Sequence, residues 1–151
     1  MDAPPESTPL EPAPTRPEIT LLLARGVSRM LIDHGYAPLL ELPLGNGRRA
    51  DVVGLGGHGE IIVVETKSCF EDYRVDSKWR EYAPYCDEFY FAVTEDFPVE
   101  VLPEDVGLIV ADGFGGAFIR PAAEQTPLTG TRRKSMLVSY ARLAALRAVA
   151  L

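Results

Sequence analysis

The sequence predicts a mixed α/β protein in which helices flank a central sheet. Residues 48–67 contain two β-rich runs separated by glycines, the pattern of a β-hairpin. Apolar residues recur at helical spacing in 17–34 and again in 132–150. The chain has 151 residues, of which 46% are hydrophobic and 25% charged, so it is long enough for one domain with a substantial core.

The first sixteen residues differ in composition from the rest. Six of the thirteen prolines lie within residues 1–17, with three acids and almost no large apolar side chain. This composition predicts a disordered tail over 1–16 and a single domain over 17–151. The tail lacks the pattern of a signal peptide, and no apolar run approaches the ~20 residues of a membrane span. Since Cys69 and Cys86 show no metal or redox spacing, we expect reduced thiols in a cytoplasmic protein.

The elements follow from local signals taken in order. Thr15 and Glu18 have the spacing of a capping box before the first helix, and Gly35 is a natural stop after it. A strand, a helix and a further strand within thirty residues predict a right-handed crossover and a parallel pair. Thr131 is the expected cap of the last helix. The predicted order is helix 17–34, strands 37–44, 48–55 and 60–66, helix 70–85, strands 88–93, 107–111 and 117–120, and helix 132–150.

Two ionisable residues end an otherwise buried strand. The run Ile61–Val64 is continuously apolar, yet it leads into Glu65 and Lys67. Side chains alternate along a strand, so Glu65 and Lys67 are expected on one face. Asp51 lies on the neighbouring strand of the same hairpin. The sequence therefore predicts a cluster of two acids and one lysine.

This cluster suits metal-assisted cleavage of a phosphodiester. The carboxylates of Asp51 and Glu65 and the backbone carbonyl of Thr66 are the hard oxygen donors that Mg²⁺ or Mn²⁺ prefers. Lys67 is the candidate to orient the attacking water or to neutralise charge in the transition state. The alternative is an ion-pair network with a purely structural role.

Glu41, on the first strand, is a candidate fourth member of the cluster. The turn at 45–47 contains Asn-Gly, a strong hairpin signal. With a three-residue loop Glu41 lies opposite Asp51, and with a two-residue loop it faces away. The sequence leaves both registers open.

The charge of −7 is unevenly distributed. Residues 81–119 contain nine acids and neither lysine nor arginine, whereas the rest of the chain beyond the tail is basic. The run Arg132, Arg133 and Lys134 opens the last helix, where cations oppose the helix dipole. These three residues either bind an anionic partner such as DNA or form a charged patch that faces solvent.

Four segments together resemble one protein family. They are Asn-Gly-Arg-Arg-Ala-Asp at 46–51, Val-Glu-Thr-Lys-Ser at 64–68, Asp-Ser-Lys-Trp-Arg-Glu-Tyr at 76–82 and Tyr-Cys-Asp at 85–87. In this order they resemble the MmcB-like DNA repair family of the PD-(D/E)XK nuclease superfamily. The resemblance implies a restriction-endonuclease-like core, made of a helix, three antiparallel strands, a helix and a strand, with the C-terminal helix in addition.

The resemblance also implies roles for individual residues. Asp51 and Glu65 would bind Mg²⁺ or Mn²⁺, and Lys67 would be the catalytic lysine. Lys78 resembles a polar residue that contacts the scissile phosphate in related nucleases. Arg48 and Arg49, immediately before the cluster, are candidate phosphate contacts, which would position DNA rather than select its sequence.

Two functions of different classes follow. One is a metal-dependent DNA endonuclease of the DNA-damage response. The other is a non-catalytic DNA-binding or adaptor protein on the same fold, which needs only the basic surface. An RNA substrate is a third option, since no motif reads a 2′-hydroxyl. The small size favours a homodimer or a complex with other repair proteins.

Overall fold

The computed structural model describes Ala3 and residues 12–69 and 79–151. These residues form a six-stranded sheet with one long helix on each face. The helices are α1 (Arg16–Asp33) and α2 (Gly130–Ala148). The strands are β1 (Ala37–Pro43), β2 (Arg49–Leu55), β3 (Ile61–Lys67), β4 (Glu88–Val93), β5 (Gly107–Ala111) and β6 (Gly116–Arg120).

The strands lie in the sheet in the order in which they occur in the chain. β1, β2 and β3 are antiparallel, β3, β4 and β5 are parallel, and β6 returns antiparallel to β5. The mixed sheet and the parallel pairing of β3 with β4 confirm the sequence-based expectations.

Two cores cover the two faces of the sheet. On one face α1 buries Leu23, Val27 and Leu31 against β-strand residues such as Val52. On the other face Met136 of α2 joins a second core with the aromatic residues of the segment before β4. Because both faces are covered, β3 is buried along its whole length.

The ends of α1 agree with the predicted signals. The backbone N–H of Thr15 donates to Glu18 over 2.9 Å, and the N–H of Glu18 donates back to the Thr15 hydroxyl over 3.4 Å. Gly35, just after the helix, has a φ of 86°. The helix begins at Arg16, one residue before its predicted start. Residues 1–2 and 4–11 of the predicted tail lie outside the described residues.

The helix predicted over 70–85 differs from what the structure describes there. Residues 70–78 lie outside the described residues, and the remainder forms two short 3₁₀ turns, Trp79–Glu81 and Ala83–Tyr85. Pro84 has no backbone N–H to continue an α-helical ladder. The rings of Trp79 and Phe89 stack with centroids 5.7 Å apart, so the aromatic residues of this segment pack on the sheet.

The last helix begins two residues earlier than predicted, and its cap is Thr129 rather than Thr131. The Thr129 hydroxyl accepts a hydrogen bond from the N–H of Arg132 over 3.2 Å. Two threonines flank Gly130, and the pattern of the sequence does not distinguish between them. The basic run therefore occupies the first turn of α2, as expected.

Candidate functional site

The ladder between β2 and β3 ends at the predicted cluster. Backbone pairing runs from Leu55 opposite Ile61 to Val52 opposite Val64 and stops there. One residue further, the N–H of Asp51 donates to the Oε1 atom of Glu65 over 2.9 Å. A side-chain carboxyl thus takes the place of a backbone carbonyl, and the two strands separate at this point.

The Asp51 carboxylate makes the reciprocal contact across the same gap. Its Oδ2 atom accepts hydrogen bonds from the backbone N–H of Thr66 over 2.8 Å and from the Thr66 hydroxyl over 3.1 Å. Each strand therefore places one carboxyl group against the backbone of the other. We call this arrangement of Asp51, Glu65 and Thr66 the strand fork.

Burial dominates the electrostatics of the strand fork. Glu65 is 4% exposed and Lys67 is 6% exposed. Burial and the neighbouring Asp51 carboxylate raise the pKa of Glu65 to about 9, while the positive charge of Lys67 acts in the opposite direction. Burial and the Asp51 charge thus favour the protonated form of the Glu65 carboxyl group.

Glu41 lies opposite Asp51, which settles the register that the sequence left open. Leu40 pairs with Val52 and Leu42 pairs with Ala50, so position 41 faces position 51. The loop at 45–47 has three residues, closed by the N–H of Leu44 donating to the carbonyl of Arg48 over 2.7 Å. Of the two registers considered, this is the one that brings Glu41 to the cluster.

The regular alternation of side chains between the two faces of the sheet is interrupted at Glu41 in β1 and at Asp51 in β2. Leu40 packs towards α1, whereas Leu42, two positions on, packs into the opposite core. β2 shows the same interruption between Val52 and Ala50. Glu41 has a φ of 54° and is the one non-glycine residue with positive φ in the described part of the chain. The irregular position is therefore built into the backbone.

A groove of about 690 Å³ runs beside the strand fork, between α1 and the first three strands. Asp51 and Thr66 line it, together with Glu41 from β1. Two arginines from distant parts of the chain, Arg16 and Arg147, also line it. The complete set is Arg16, Pro17, Thr20, Leu21, Ala24, Leu40, Glu41, Asp51, Thr66, Ser68 and Arg147.

The structure thus brings together the predicted residues Glu41, Asp51, Glu65 and Thr66, with Lys67 next to Glu65. Within the described residues, no three His, Cys, Asp or Glu side chains are placed to hold one metal ion together. The fork supplies two carboxyl groups.

The two arginines that precede the cluster are both paired with acids. Arg48 donates through Nε to Glu81 over 2.6 Å. The guanidinium of Arg49 lies 3.6 Å from the Glu41 carboxylate, and both side chains are largely exposed. Arg49 therefore stands at the mouth of the site, whereas Arg48 points to the segment before β4.

The basic run of α2 divides into three different environments. The guanidinium of Arg132 lies 4.3 Å from the centre of the Tyr85 ring. Arg133 makes two hydrogen bonds to Asp87, each of 2.7 Å, and a third to the carbonyl of Gly59. Lys134 is exposed. Lys78, the remaining predicted DNA contact, lies outside the described residues.

Arg16 and Arg147 were not identified from the sequence. Arg16 precedes the first predicted helix. Arg147 lies in the last turn of α2, and basic residues are common at the C-terminal ends of helices. No local spacing connects either residue to the cluster. Only the packing of both helices near β1 reveals them.

The fold and the site together define a mixed α/β protein with a carboxyl–lysine cluster where two antiparallel strands separate. The family profile described as "DNA repair protein MmcB-like" matches residues 8–151, almost the whole chain. The chain belongs to this MmcB-like family, and the description of the family indicates a role in DNA repair and contact with DNA.

Comparison with solved structures gives a similar fold in a bacterial protein. A protein of unknown function from Silicibacter pomeroyi is 44% identical, with a TM-score of 0.79. The match covers 83% of this chain and 85% of that one. No curated protein gives a significant match. In the described ranges, neither helix combines the length and hydropathy needed to cross a bilayer.

Proposed function

We propose that this protein is a metal-dependent DNA endonuclease of the PD-(D/E)XK superfamily that acts in DNA repair. The observation that carries the proposal is the strand fork, in which the carboxyl groups of Asp51 and Glu65 meet between separating strands beside an open groove. Membership of a DNA repair family and the helix and strand order support a restriction-endonuclease-like core.

The donors at the strand fork fit Mg²⁺ or Mn²⁺. Mg²⁺ is usually held by one or two carboxylates and keeps several waters, so two carboxyl groups suffice. Asp51 and Glu65 would bind the ion, with the carbonyl of Thr66 as a third donor and Glu41 as the nearest further acid. When bound, the ion would supply positive charge next to a phosphate of the substrate.

The chain's own residues have separate tasks in this proposal. The positive charge of the buried Lys67 lowers the pKa of the Glu65 carboxyl group and so favours its ionised form. The fixed ammonium group would also stabilise negative charge that develops on the phosphate. Arg16 and Arg147 place positive charge along the groove, where a nucleic-acid backbone would lie.

The proposal is tested by cleavage assays on the full chain. Single-stranded, nicked, flapped and branched DNA, and RNA of the same sequences, are incubated with Mg²⁺ or Mn²⁺. Asp51→Asn, Glu65→Gln and Lys67→Ala should each lower the cleavage rate by roughly 10³-fold, because the first two remove a metal-binding carboxyl group and the third removes the positive charge beside the reacting phosphate. Their DNA affinity should change little.

The matched control is Asp33→Asn, which removes an exposed acid at the far end of α1 and should leave cleavage unchanged. Circular dichroism checks that each variant folds, since both fork carboxyls accept backbone hydrogen bonds. If the wild-type chain cleaves none of these substrates with either metal, the enzyme proposal is wrong.

A second candidate is a DNA-binding or adaptor protein without catalysis. The burial of Glu65 and Lys67 favours it, since a buried carboxyl–lysine cluster can also serve only the structure of the sheet. DNA binding that persists in wild type and all three variants, without cleavage by any of them, would establish this function. In either case we expect a cytoplasmic protein that works as a homodimer or with other repair proteins.

A further inference from the structure

Arg147 connects the last turn of α2 to the irregular position of β1. Its guanidinium donates one hydrogen bond to the carbonyl of Leu40 and another, of 3.2 Å, to the carbonyl of Glu41. These two carbonyls belong to the two peptide groups that flank the Cα atom of Glu41. A planar guanidinium can hold two neighbouring acceptors at once, which an ammonium group cannot do in the same geometry.

The backbone of Glu41 needs such support. Its φ of 54° lies in the left-handed region, which is unfavourable for residues with a Cβ atom. A residue in this conformation persists only when its surroundings hold it there. In β1 the holding contacts come from Arg147 on the carbonyl side, and the side chain of Glu41 lies 3.6 Å from Arg49.

The position has a direct consequence for the groove. Regular alternation would turn Glu41 to the face occupied by Leu39, whereas in the structure Glu41 lines the groove with Asp51 on the side of α1. The left-handed residue is where the strand departs from alternation. A contact that fixes this conformation therefore also fixes the side of the strand on which Glu41 lies.

We propose that Arg147 is a positioning residue that holds β1 in its left-handed conformation at Glu41 and so keeps Glu41 in the groove that Asp51 also lines. The inference rests on the proposed function for its importance to metal binding, but the conformational step stands independently of catalysis. Arg147 acts through Glu41 and has no assigned contact with the reacting atoms.

The first measurement is the backbone conformation of Glu41. In the full chain labelled for NMR, chemical shifts and scalar couplings report the φ angle of this residue. The wild-type chain should show a positive φ at Glu41. Arg147→Lys retains the charge but loses the paired contact, so φ should shift to the extended region, as it should in Arg147→Ala. Arg142→Ala removes a different exposed arginine of α2 and should leave φ unchanged.

The second measurement is Mn²⁺ affinity by calorimetry, which does not depend on cleavage. Arg147→Lys and Glu41→Gln should each weaken binding about tenfold, the usual effect of losing an outer ligand or its support. The double variant should be no weaker than Glu41→Gln alone, because both changes remove the same carboxylate from the site. Arg142→Ala should bind as wild type does.

The outcomes separate this inference from the proposed function. A positive φ at Glu41 that survives Arg147→Ala overturns the positioning role. An altered φ with unchanged Mn²⁺ affinity restricts Arg147 to the structure of the strand and overturns its role in the site. If the wild-type chain binds no Mn²⁺, the proposed function fails, and the NMR measurement still decides whether Arg147 holds the strand. Thermal unfolding of each variant identifies any that do not fold.

Discussion

Asp87 shows how a single residue joins three parts of the fold. Its carboxylate accepts hydrogen bonds from the N–H of Ile61 over 2.8 Å and from the N–H of Leu128 over 3.2 Å. Arg133 completes the arrangement with two further bonds. The Arg133 guanidinium is the main reason why the pKa of Asp87 is below its ordinary value of 3.8. The residue therefore links β3, the approach to α2 and α2 itself.

We expect Asp87→Ala to lower the free energy of unfolding by about 2 kcal/mol at pH 7, since hydrogen bonds to charged groups are lost and Arg133 keeps only its hydrogen bond to the carbonyl of Gly59. A lowered pKa stabilises the fold above the unfolded-state value of 3.8, and this stabilisation is lost as pH falls through the lower folded-state value. Urea unfolding at pH 7 and at pH 3 measures both effects.

The control is Glu81→Ala, which breaks the more exposed pair with Arg48. Its cost should be below about 1 kcal/mol, as for most surface ion pairs. Equal costs for Asp87→Ala and Glu81→Ala, or an Asp87→Ala cost that is the same at both pH values, would contradict the assignment.

At the scale of residues, the sequence predicts those members of the site that are near one another along the chain. Glu65 and Lys67 are recognisable because two charges follow an apolar strand, and Asp51 follows from the hairpin. The partly buried pairing of Arg133 is not recognisable from the sequence, because its partner Asp87 lies in a different element. For the basic run the sequence left a choice between DNA contacts and a solvated patch, whereas the structure gives its three members three distinct environments.

At the scale of elements, α1 approaches the β5–β6 hairpin closely at Gly26. A Cβ atom placed on Gly26 would overlap the carbonyl oxygen of Asp112 and lie 2.7 Å from that of Gly115. These are backbone atoms, which cannot rotate away as a flexible side chain can. The absence of a side chain at Gly26 therefore sets the distance between helix and hairpin.

Gly26→Ala should destabilise the protein by about 2 kcal/mol, because overpacking outweighs the gain of about 1 kcal/mol that alanine brings to a helix interior. The matched control is Gly130→Ala in the first turn of α2, where an added Cβ meets no atom within 4 Å. That variant should be as stable as wild type or slightly more so. Thermal unfolding of both decides the point, and an unchanged midpoint for Gly26→Ala would refute the close approach.

The elements themselves were largely predictable, and their exceptions have physical reasons. Strands and long helices follow from the spacing of apolar residues, which reflects which face is buried. The segment 79–85 carries an apolar stripe of helical spacing, yet Pro84 and packing on the sheet give it 3₁₀ turns. The register of β1 against β2 depends on a turn whose length the sequence does not determine, so the position of Glu41 required the structure.

At the scale of the molecule, charge is separated between two regions. The acidic segment 81–119 has no basic residue, and two of its acids, Glu81 and Asp87, are paired with arginines from outside it. The groove instead carries Arg16 and Arg147. We therefore expect DNA to approach the groove and to avoid the acidic segment.

The salt dependence of DNA binding tests whether the start of α2 also contacts DNA. Lys134→Gln should reduce the slope of log K against log salt by about 0.9 if Lys134 neutralises one phosphate. Glu104→Gln, in the acidic segment, should leave the slope unchanged, because charges farther away than about 10 Å are screened at 0.1 M salt. Fluorescence anisotropy with a short DNA duplex provides the measurement. An unchanged slope for Lys134→Gln would place the start of α2 away from DNA.

The contact between Arg147 and β1 has a consequence for the order of assembly. Its two partners lie 107 and 106 positions away in the sequence, so the contact closes a very long loop. Contacts of this kind form late, because the entropy of loop closure is lost before they contribute. The strand fork, by contrast, is made within one hairpin. During folding, Asp51 and Glu65 would therefore come together before Arg147 reaches β1. The groove would be complete only after α2 packs against the sheet.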